Sequence, residues 1–289
     1  MCRFVLYLGP NLSMDRLITE PKNSLIHQSF KSQLREEPLN GDGFGVAWFV
    51  PELTPYPALF RSIQPAWNNI NLRHLARVTR SHCIMAHVRA ATPGLAVSEV
   101  NCHPFAAGRF AFMHNGYIAD FGRVKRAVCR RLSDAAYDRI EGSTDSEHLF
   151  ALAQDKIDLE RADLGTREMA DALVATIHET VGILEDAEVH DDSRLNLVLT
   201  DGRKAVVTRF SSGAHVANTL FVHSGSRYVC EGGECRMMKP DPDDHTVIVA
   251  SEPLSDDPGW REVPRNHMVL VESDLTITVQ PIPAPPSAA

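Results

Sequence analysis

Short apolar runs punctuate the first half of the chain, at residues 4–8, 44–50, 83–88 and 110–113, each ended by glycine, proline or polar residues. Runs of that length and setting read as strands. Farther along, Met169, Leu173, Ile177, Val181 and Leu184 recur at helical spacing. A second helix is predicted over residues 147–156, behind the cap-like Ser143-Thr144-Asp145, and Ser13 stands as an N-cap ahead of Met14, Leu17 and Ile18. Strands return at residues 195–199, 205–208, 220–222, 247–250, 269–271 and 275–279. Strands at both ends with helices between them predict an α+β layered fold, two sheets covered by helices. No internal repeat and no Pro/Ser-rich linker divides the pattern, so a single domain over residues 2–280 is expected. Residues 281–289, with four prolines, are expected to form a flexible Pro/Ala-rich tail.

Composition narrows the field of partners. The 289 residues carry 29 Lys+Arg against 37 Asp+Glu, a net charge of −8, with no long basic run. That balance gives no electrostatic footprint for nucleic acid or an anionic membrane surface. No apolar stretch reaches the roughly 18–20 residues of a membrane span, and the run at residues 4–8 is too short for a signal-peptide core. Six cysteines, at positions 2, 83, 102, 129, 230 and 235, show no disulfide framework, which fits a reduced, cytoplasmic setting. The CEGGEC segment spaces its two cysteines more widely than a zinc pair, with no second pair following, and reads as a glycine-rich loop carrying two ordinary thiols. Neither a metal nor a cofactor is expected.

Several segments could carry chemistry. If Met1 is removed, Cys2 presents a thiol and a free α-amine on one residue, so that nucleophile and base coincide. An α-amine has an ordinary pKa of about 7.7–8.0 and a thiol about 8.5, so near neutral pH the amine can accept the thiol proton. Met113-His114-Asn115-Gly116 closes an apolar strand. An Asn amide beside a glycine N–H could make an oxyanion hole, although Asn-Gly is equally a hairpin turn. Arg89 leaves the strand at 83–88, where a guanidinium could grip a carboxylate, and Asp145 lies at a helix start, where it could pair with an ammonium group. Together they would read an α-amino acid head; separately, one is a surface ion-pair partner and the other a helix cap. Asn40-Gly41-Asp42-Gly43-Phe44-Gly45 leads into a strand rather than a helix and lacks the Lys-Ser/Thr of a phosphate loop, so its glycines are assigned to a close backbone approach. A Cys102/His103 dyad is disfavoured, because adjacent residues on an extended segment point oppositely.

Taken in order, Met1-Cys2-Arg3, the 40–45 glycine segment, His87 to Thr92, Asn101-x-His103-Pro104, His114-Asn115-Gly116 and residues 142–146 resemble the class II glutamine amidotransferases, a branch of the N-terminal nucleophile hydrolases. Pro21 to Leu25, Gln28-Ser29-Phe30, Pro65 to Asn69 and the late Val249-Ala250-Ser251-Glu252-Pro253-Leu254 are similar to the YafJ/DUG-type subgroup, associated with γ-glutamyl compounds and glutathione breakdown. The resemblance implies a four-layer αββα sandwich of two mainly antiparallel sheets. It implies Cys2 as nucleophile, Asn115 and Gly116 as oxyanion donors, and Arg89, Thr92 and Asp145 around the glutamyl head. Ala90 stands where many glutamine-dependent synthases carry an aromatic residue. The expected activity is hydrolysis of a γ-glutamyl amide, glutamine or a glutathione-like compound, through a Cys2 thioester. Two alternatives stay open: an ammonia-donating subunit of a separate synthetase complex, and a silent γ-glutamyl-binding protein. The expected ligand is a small γ-glutamyl molecule, with a partner protein or homo-oligomer possible in addition.

Overall fold

A computed structural model describes residues 2–34, 39–91, 96–214, 217–238 and 245–285. In chain order the strands and helices are β1 (Arg3–Ser13), α1 (Asp15–Ile18), α2 (Leu25–Lys31), β2 (Phe44–Trp48), β3 (Ala58–Ser62), α3 (Ile70–Val78), β4 (Arg80–Val88), β5 (Phe105–Ala107) and β6 (Phe110–Tyr117). There follow α4 (Phe121–Cys129), α5 (Asp134–Tyr137), α6 (Asp145–Gln154), α7 (Thr166–Asp186), β7 (Arg194–Thr200), β8 (Ala205–Arg209) and β9 (Phe221–Gly225). The chain ends with β10 (Tyr228–Glu231), β11 (Glu234–Met237), β12 (Thr246–Ala250), β13 (Arg261–Glu262), β14 (His267–Val271) and β15 (Ile277–Pro281).

Among the described residues, one sheet runs β13-β9-β12-β1-β4-β2-β3 and a second runs β15-β14-β8-β7-β6-β5, while β10 and β11 form a separate hairpin. Every pairing between named strands is antiparallel. Three apolar clusters hold the layers together. Alternate residues of β1 serve two of them: Phe4, Leu6 and Leu8 pack between the sheets, with Met113, Val198, Val207 and Val269 opposite. Val5 and Tyr7 face outward, under Leu17, Leu25 and Leu72 of the first three helices. The third cluster joins the other sheet, through Phe112, Leu197 and Leu270, to α4, α6 and α7. Helices, sheet, sheet, helices: this is the expected four-layer αββα sandwich. It also explains why residues 4–8 are continuously apolar, since a strand buried on both faces has no polar side to show.

The sequence-based elements hold with shifted ends. Met169, Leu173, Ile177 and Leu184 form the buried stripe of α7 as their spacing predicts, with Val181 half-buried at its margin. Ser13 is not a helix cap. Pairing of Ser13 with Arg80 keeps β1 extended through that residue, and the single turn α1 begins after Met14 with no side-chain cap. The strand run at 110–113 continues to Tyr117, because β7 supplies a partner as far as Arg194. Cys230 and Cys235 are not free thiols: they face each other across the β10–β11 hairpin and are joined as a disulfide. The Pro/Ala-rich tail is tied down at its start, where the Ile282 N–H donates to the Asn266 carbonyl at 2.8 Å and His178 Nε2 to that of Pro283 at 2.8 Å. Residues 286–289 lie outside the described residues. No described helix is long and apolar enough to cross a membrane.

Candidate active site

Cys2 precedes the central strand of the first sheet. Arg3 pairs with Val88 at the end of β4, so Cys2 lies beside the residues that follow that strand. Its half-buried thiol accepts from the Ala90 N–H at 3.5 Å and reaches the Ala90 carbonyl at 3.7 Å. The other free thiols are placed differently. Burial pushes Cys83 far up and Cys102 to about 11. Cys102 donates to the carbonyls of Ser62 and Ser98, and Cys129 closes α4. The thiol of Cys102 thus has its own structural contacts, and the ring of His103 stacks on His87 at 4.2 Å instead.

Arg89 is held by backbone contacts to the glycine segment. Its N–H donates to the Gly43 carbonyl at 2.8 Å, its carbonyl accepts from Asp42 at 3.0 Å, and Asp42 Oδ2 accepts from the Ala91 N–H at 2.8 Å. Gly43 has φ +113°, and a Cβ there would sit 2.6 Å from the Cys102 sulfur. The segment is therefore a close backbone approach, as its glycines suggested. Arg89 is only 3% exposed, and its Nη1 has no hydrogen-bond partner. A buried guanidinium nitrogen left unsatisfied is costly unless an anion completes it. A carboxylate is one anion whose oxygens would complete it.

The Asn115-Gly116 pair does not form a turn. It stays in β6, opposite Asn196 and Leu195 of β7, and a Cβ on Gly116 would run into the Arg194 carbonyl oxygen. Packing against β7, rather than turning, is what requires glycine. Asn115 is fully buried and donates from Nδ2 to Ser251 Oγ at 3.2 Å. The neighbouring carbonyl, that of His114, accepts from His87 Nε2 at 3.2 Å. Because N–H and C=O groups alternate edges along a strand, the Gly116 N–H points to the same edge as the His114 carbonyl, away from β7.

Three buried histidines brace this strand. Desolvation pulls His87 down to about 3 and draws His103 and His114 below the ordinary imidazole value, so all three are neutral at pH 7. Neutrality fixes the His114 tautomer. Nε2 must donate to the Arg194 carbonyl at 3.0 Å, which leaves Nδ1 to accept from the Ser146 hydroxyl at 2.9 Å. β6 is thereby tied to the start of α6.

Asp145 opens α6, but the cap is Thr144, whose hydroxyl accepts from the Glu147 N–H at 3.2 Å. Asp145 is free of that duty. Its Oδ2 accepts from the Ile118 N–H at 2.8 Å and its Oδ1 from the Ser146 N–H at 2.8 Å. It is half-buried, and two backbone bonds leave lone pairs for a cation. Glu147, raised in pKa by burial, accepts from the N–H groups of Glu141 and Gly142 and fixes the approach to the helix.

Cys2 and Arg89 thus lie at the adjoining ends of β1 and β4, Asn115 is linked through Ser251 to Phe4 of β1, and Asp145 holds the Ile118 N–H just past β6. Thr92 lies outside the described residues. Sequence reasoning missed the supports. Arg3 donates from Nη1 to the Cys2 carbonyl at 3.0 Å and pairs through Nε with Glu252 at 2.6 Å, both side chains buried. Asn218 donates to the Asn115 carbonyl at 3.0 Å. The 249–254 motif was the one signal that pointed toward Ser251 and Glu252; nothing marked Asn218. Among the described residues, no cluster of His, Cys, Asp and Glu has an arrangement that could hold a metal ion.

Comparison with known proteins agrees with this geometry. The family model for class II glutamine amidotransferases matches residues 19–286. A probable glutamine amidotransferase of Saccharomyces cerevisiae, DUG3, is 40% identical over 98% of this chain and 84% of its own length. The gamma-glutamyl-hercynylcysteine sulfoxide hydrolase of Mycolicibacterium smegmatis is 30% identical over 98% of this chain and all of its own. Among solved structures, a glutamine aminotransferase class-II domain protein from Silicibacter pomeroyi superposes with a TM-score of 0.66 at 25% identity, covering 96% of this chain and 98% of that one.

Proposed function

The chain belongs to the class II glutamine amidotransferases, and from that premise we propose that it hydrolyses a γ-glutamyl amide through a thioester on Cys2, releasing glutamate. The observation that carries the reading is the unpartnered Nη1 of buried Arg89, one residue from the Ala90 amide that contacts Cys2 Sγ. That juxtaposition suits a substrate with a carboxylate at one end and a reactive carbonyl at the other.

In this mechanism Met1 is first removed, freeing the Cys2 α-amine. Arg89 takes the substrate α-carboxylate and Asp145 its α-ammonium group. The thiol attacks the γ-carbonyl carbon as the α-amine accepts its proton, forming the C–S bond. Negative charge moves to the carbonyl oxygen, where the Asn115 Nδ2 and Gly116 N–H groups stabilise it. Collapse breaks the C–N bond, and the departing amine takes the proton. Water then repeats the sequence on the thioester, giving glutamate and the free thiol. The family relatives support γ-glutamyl chemistry: one is named for an amidotransferase and the other for hydrolysis of a γ-glutamyl compound.

The test is covalent. A glutamine-like diazoketone with free α-amine and α-carboxylate should label Cys2 in protein whose mass shows loss of Met1, and glutamate should be released from glutathione or glutamine without any acceptor. Labelling of Cys102 instead of Cys2, or full activity in Cys2→Ala, sinks the mechanism. Glutamate release only with an added synthetase and acceptor would favour the ammonia-donating subunit.

A further inference from the structure

The Asn115 carboxamide is satisfied on every side but one. Asn218 donates from Nδ2 to the Asn115 backbone carbonyl at 3.0 Å and to its Oδ1 at 3.4 Å. Ser251 Oγ accepts one Asn115 Nδ2 hydrogen at 3.2 Å and also accepts the Phe4 N–H at 3.1 Å. A carboxamide has two N–H donors. One is committed to Ser251, and one remains.

The partners themselves are fixed. Asn218 is 5% exposed, and its carbonyl accepts from Asn196 Nδ2 at 3.1 Å. Ser251 is fully buried, its N–H donates to the Phe4 carbonyl at 3.0 Å, and its carbonyl accepts from the Thr219 hydroxyl at 2.8 Å. Through Phe4, Ser251 touches the strand that carries Cys2; through Asn115, it touches the strand that carries the oxyanion donors. A single hydroxyl therefore sets the spacing between the two halves of the site, one on each sheet.

Flipping the Asn115 amide would set its nitrogen against the Asn218 Nδ2 donor, losing that bond, and turn an acceptor toward a developing anion. We propose that Ser251 and Asn218 are positioning residues for the acyl-transfer step. They hold the Asn115 carboxamide in the one orientation that leaves an N–H for the tetrahedral oxyanion, and they register it against the nucleophile strand. This inference rests on the oxyanion role of Asn115 in the proposed function. It extends that role to two residues that touch neither substrate nor reacting atoms.

The experiment measures kcat and KM for glutamate release from glutathione and from glutamine, with a melting curve for each variant. Asn115→Ala tests the underlying reading and should lower kcat by roughly 10²–10³. Ser251→Ala should lower kcat by about tenfold or more with KM little changed, since an oxyanion donor acts mainly on the transition state. Ser251→Thr, which keeps the hydroxyl, should restore most of it. Asn218→Asp places a carboxylate where a donor is needed, so its kcat relative to wild type should be lowest at alkaline pH and rise as acid protonates the new carboxyl group and restores an O–H donor. If Ser251→Ala lies within twofold of wild type while Asn115→Ala is impaired, the positioning role is overturned and the oxyanion assignment survives. A silent Asn115→Ala overturns both. Should Ser251→Ala fail to fold, the Asn218→Asp profile decides alone, and a pH dependence parallel to wild type refutes the proposal.

Discussion

Replacing Glu252 should destabilise the chain far beyond an ordinary ion-pair loss. The carboxylate is fully buried and receives Arg3 Nε at 2.6 Å, the Ser32 hydroxyl, the Gln33 N–H at 3.0 Å and the Leu34 N–H at 3.3 Å. Glu252→Ala takes this carboxylate away from the Arg3 guanidinium, itself 2% exposed, and strands two backbone donors. Breaking a buried pair by removing one partner typically costs about 3–5 kcal/mol. Replacing both groups, Arg3→Met with Glu252→Leu, should recover about 1–2 kcal/mol of that loss. Urea unfolding followed by fluorescence reads both numbers, provided the m-values match. The recovered double variant should still be slow, because the Arg3 Nη1 bond to the Cys2 carbonyl is gone. The pair also has a pH signature. Burial pushes the Glu252 carboxyl up, but the Arg3 charge and the hydrogen bonds from Ser32, Gln33 and Arg3 outweigh it and hold the group below its usual range. A depressed folded pKa means stability present above the unfolded value, about 4.3, and lost as pH falls through the folded one. A Glu252→Ala variant within 1 kcal/mol of wild type at pH 7 would refute this account.

Arg89→Ala should raise KM for any γ-glutamyl substrate by roughly tenfold or more and lower kcat less, as steady-state kinetics will show, because the carboxylate contact exists in ground and transition states alike. Cooling of stability in mild acid should trace to the histidines: His87, depressed to about 3 by burial, is neutral when folded and charges near 6.5 when unfolded, so stability is complete above about 6.5 and declines as pH falls toward 3. His103→Phe, replacing a buried ring with no hydrogen-bond partner on either nitrogen, should flatten the fall in Tm between pH 6.5 and 5.

Legibility followed burial symmetry. Residues 4–8 and 83–88 announced themselves because both faces of those strands are covered, and α7 because one face is. β3, half-buried along most of its length at the sheet edge, carries too little apolar signal to be read, and α3 buries only Leu72 and Ala76 among mostly polar neighbours. Asn115-Gly116 had the composition of a turn; what makes it a strand is the Arg194 backbone, which no local pattern discloses. The chemical groups themselves, Cys2, Arg89 and Asp145, stood out as residue types at element ends. Their supports did not, since Arg3 meets Glu252 only through the register that sets Val5 opposite Ala250. Cys230 and Cys235 bond because a hairpin register faces them, a fact their spacing alone left open.

The placement of β1 at the centre of its sheet imposes a timetable. One flank of β1 stays bare until β12 has been made, since Val5 pairs with Ala250, 250 − 5 = 245 positions later. At roughly 5–20 residues per second, that is a delay of about 10–50 s. During this interval β1 has no completed sheet to enter. Once β12 docks, Phe4 and Arg3 are held beside Ser251 and Glu252. A slow-translating or truncated chain would therefore lack Ser251 and Glu252, the groups that hold Phe4 and Arg3 in the finished sheet.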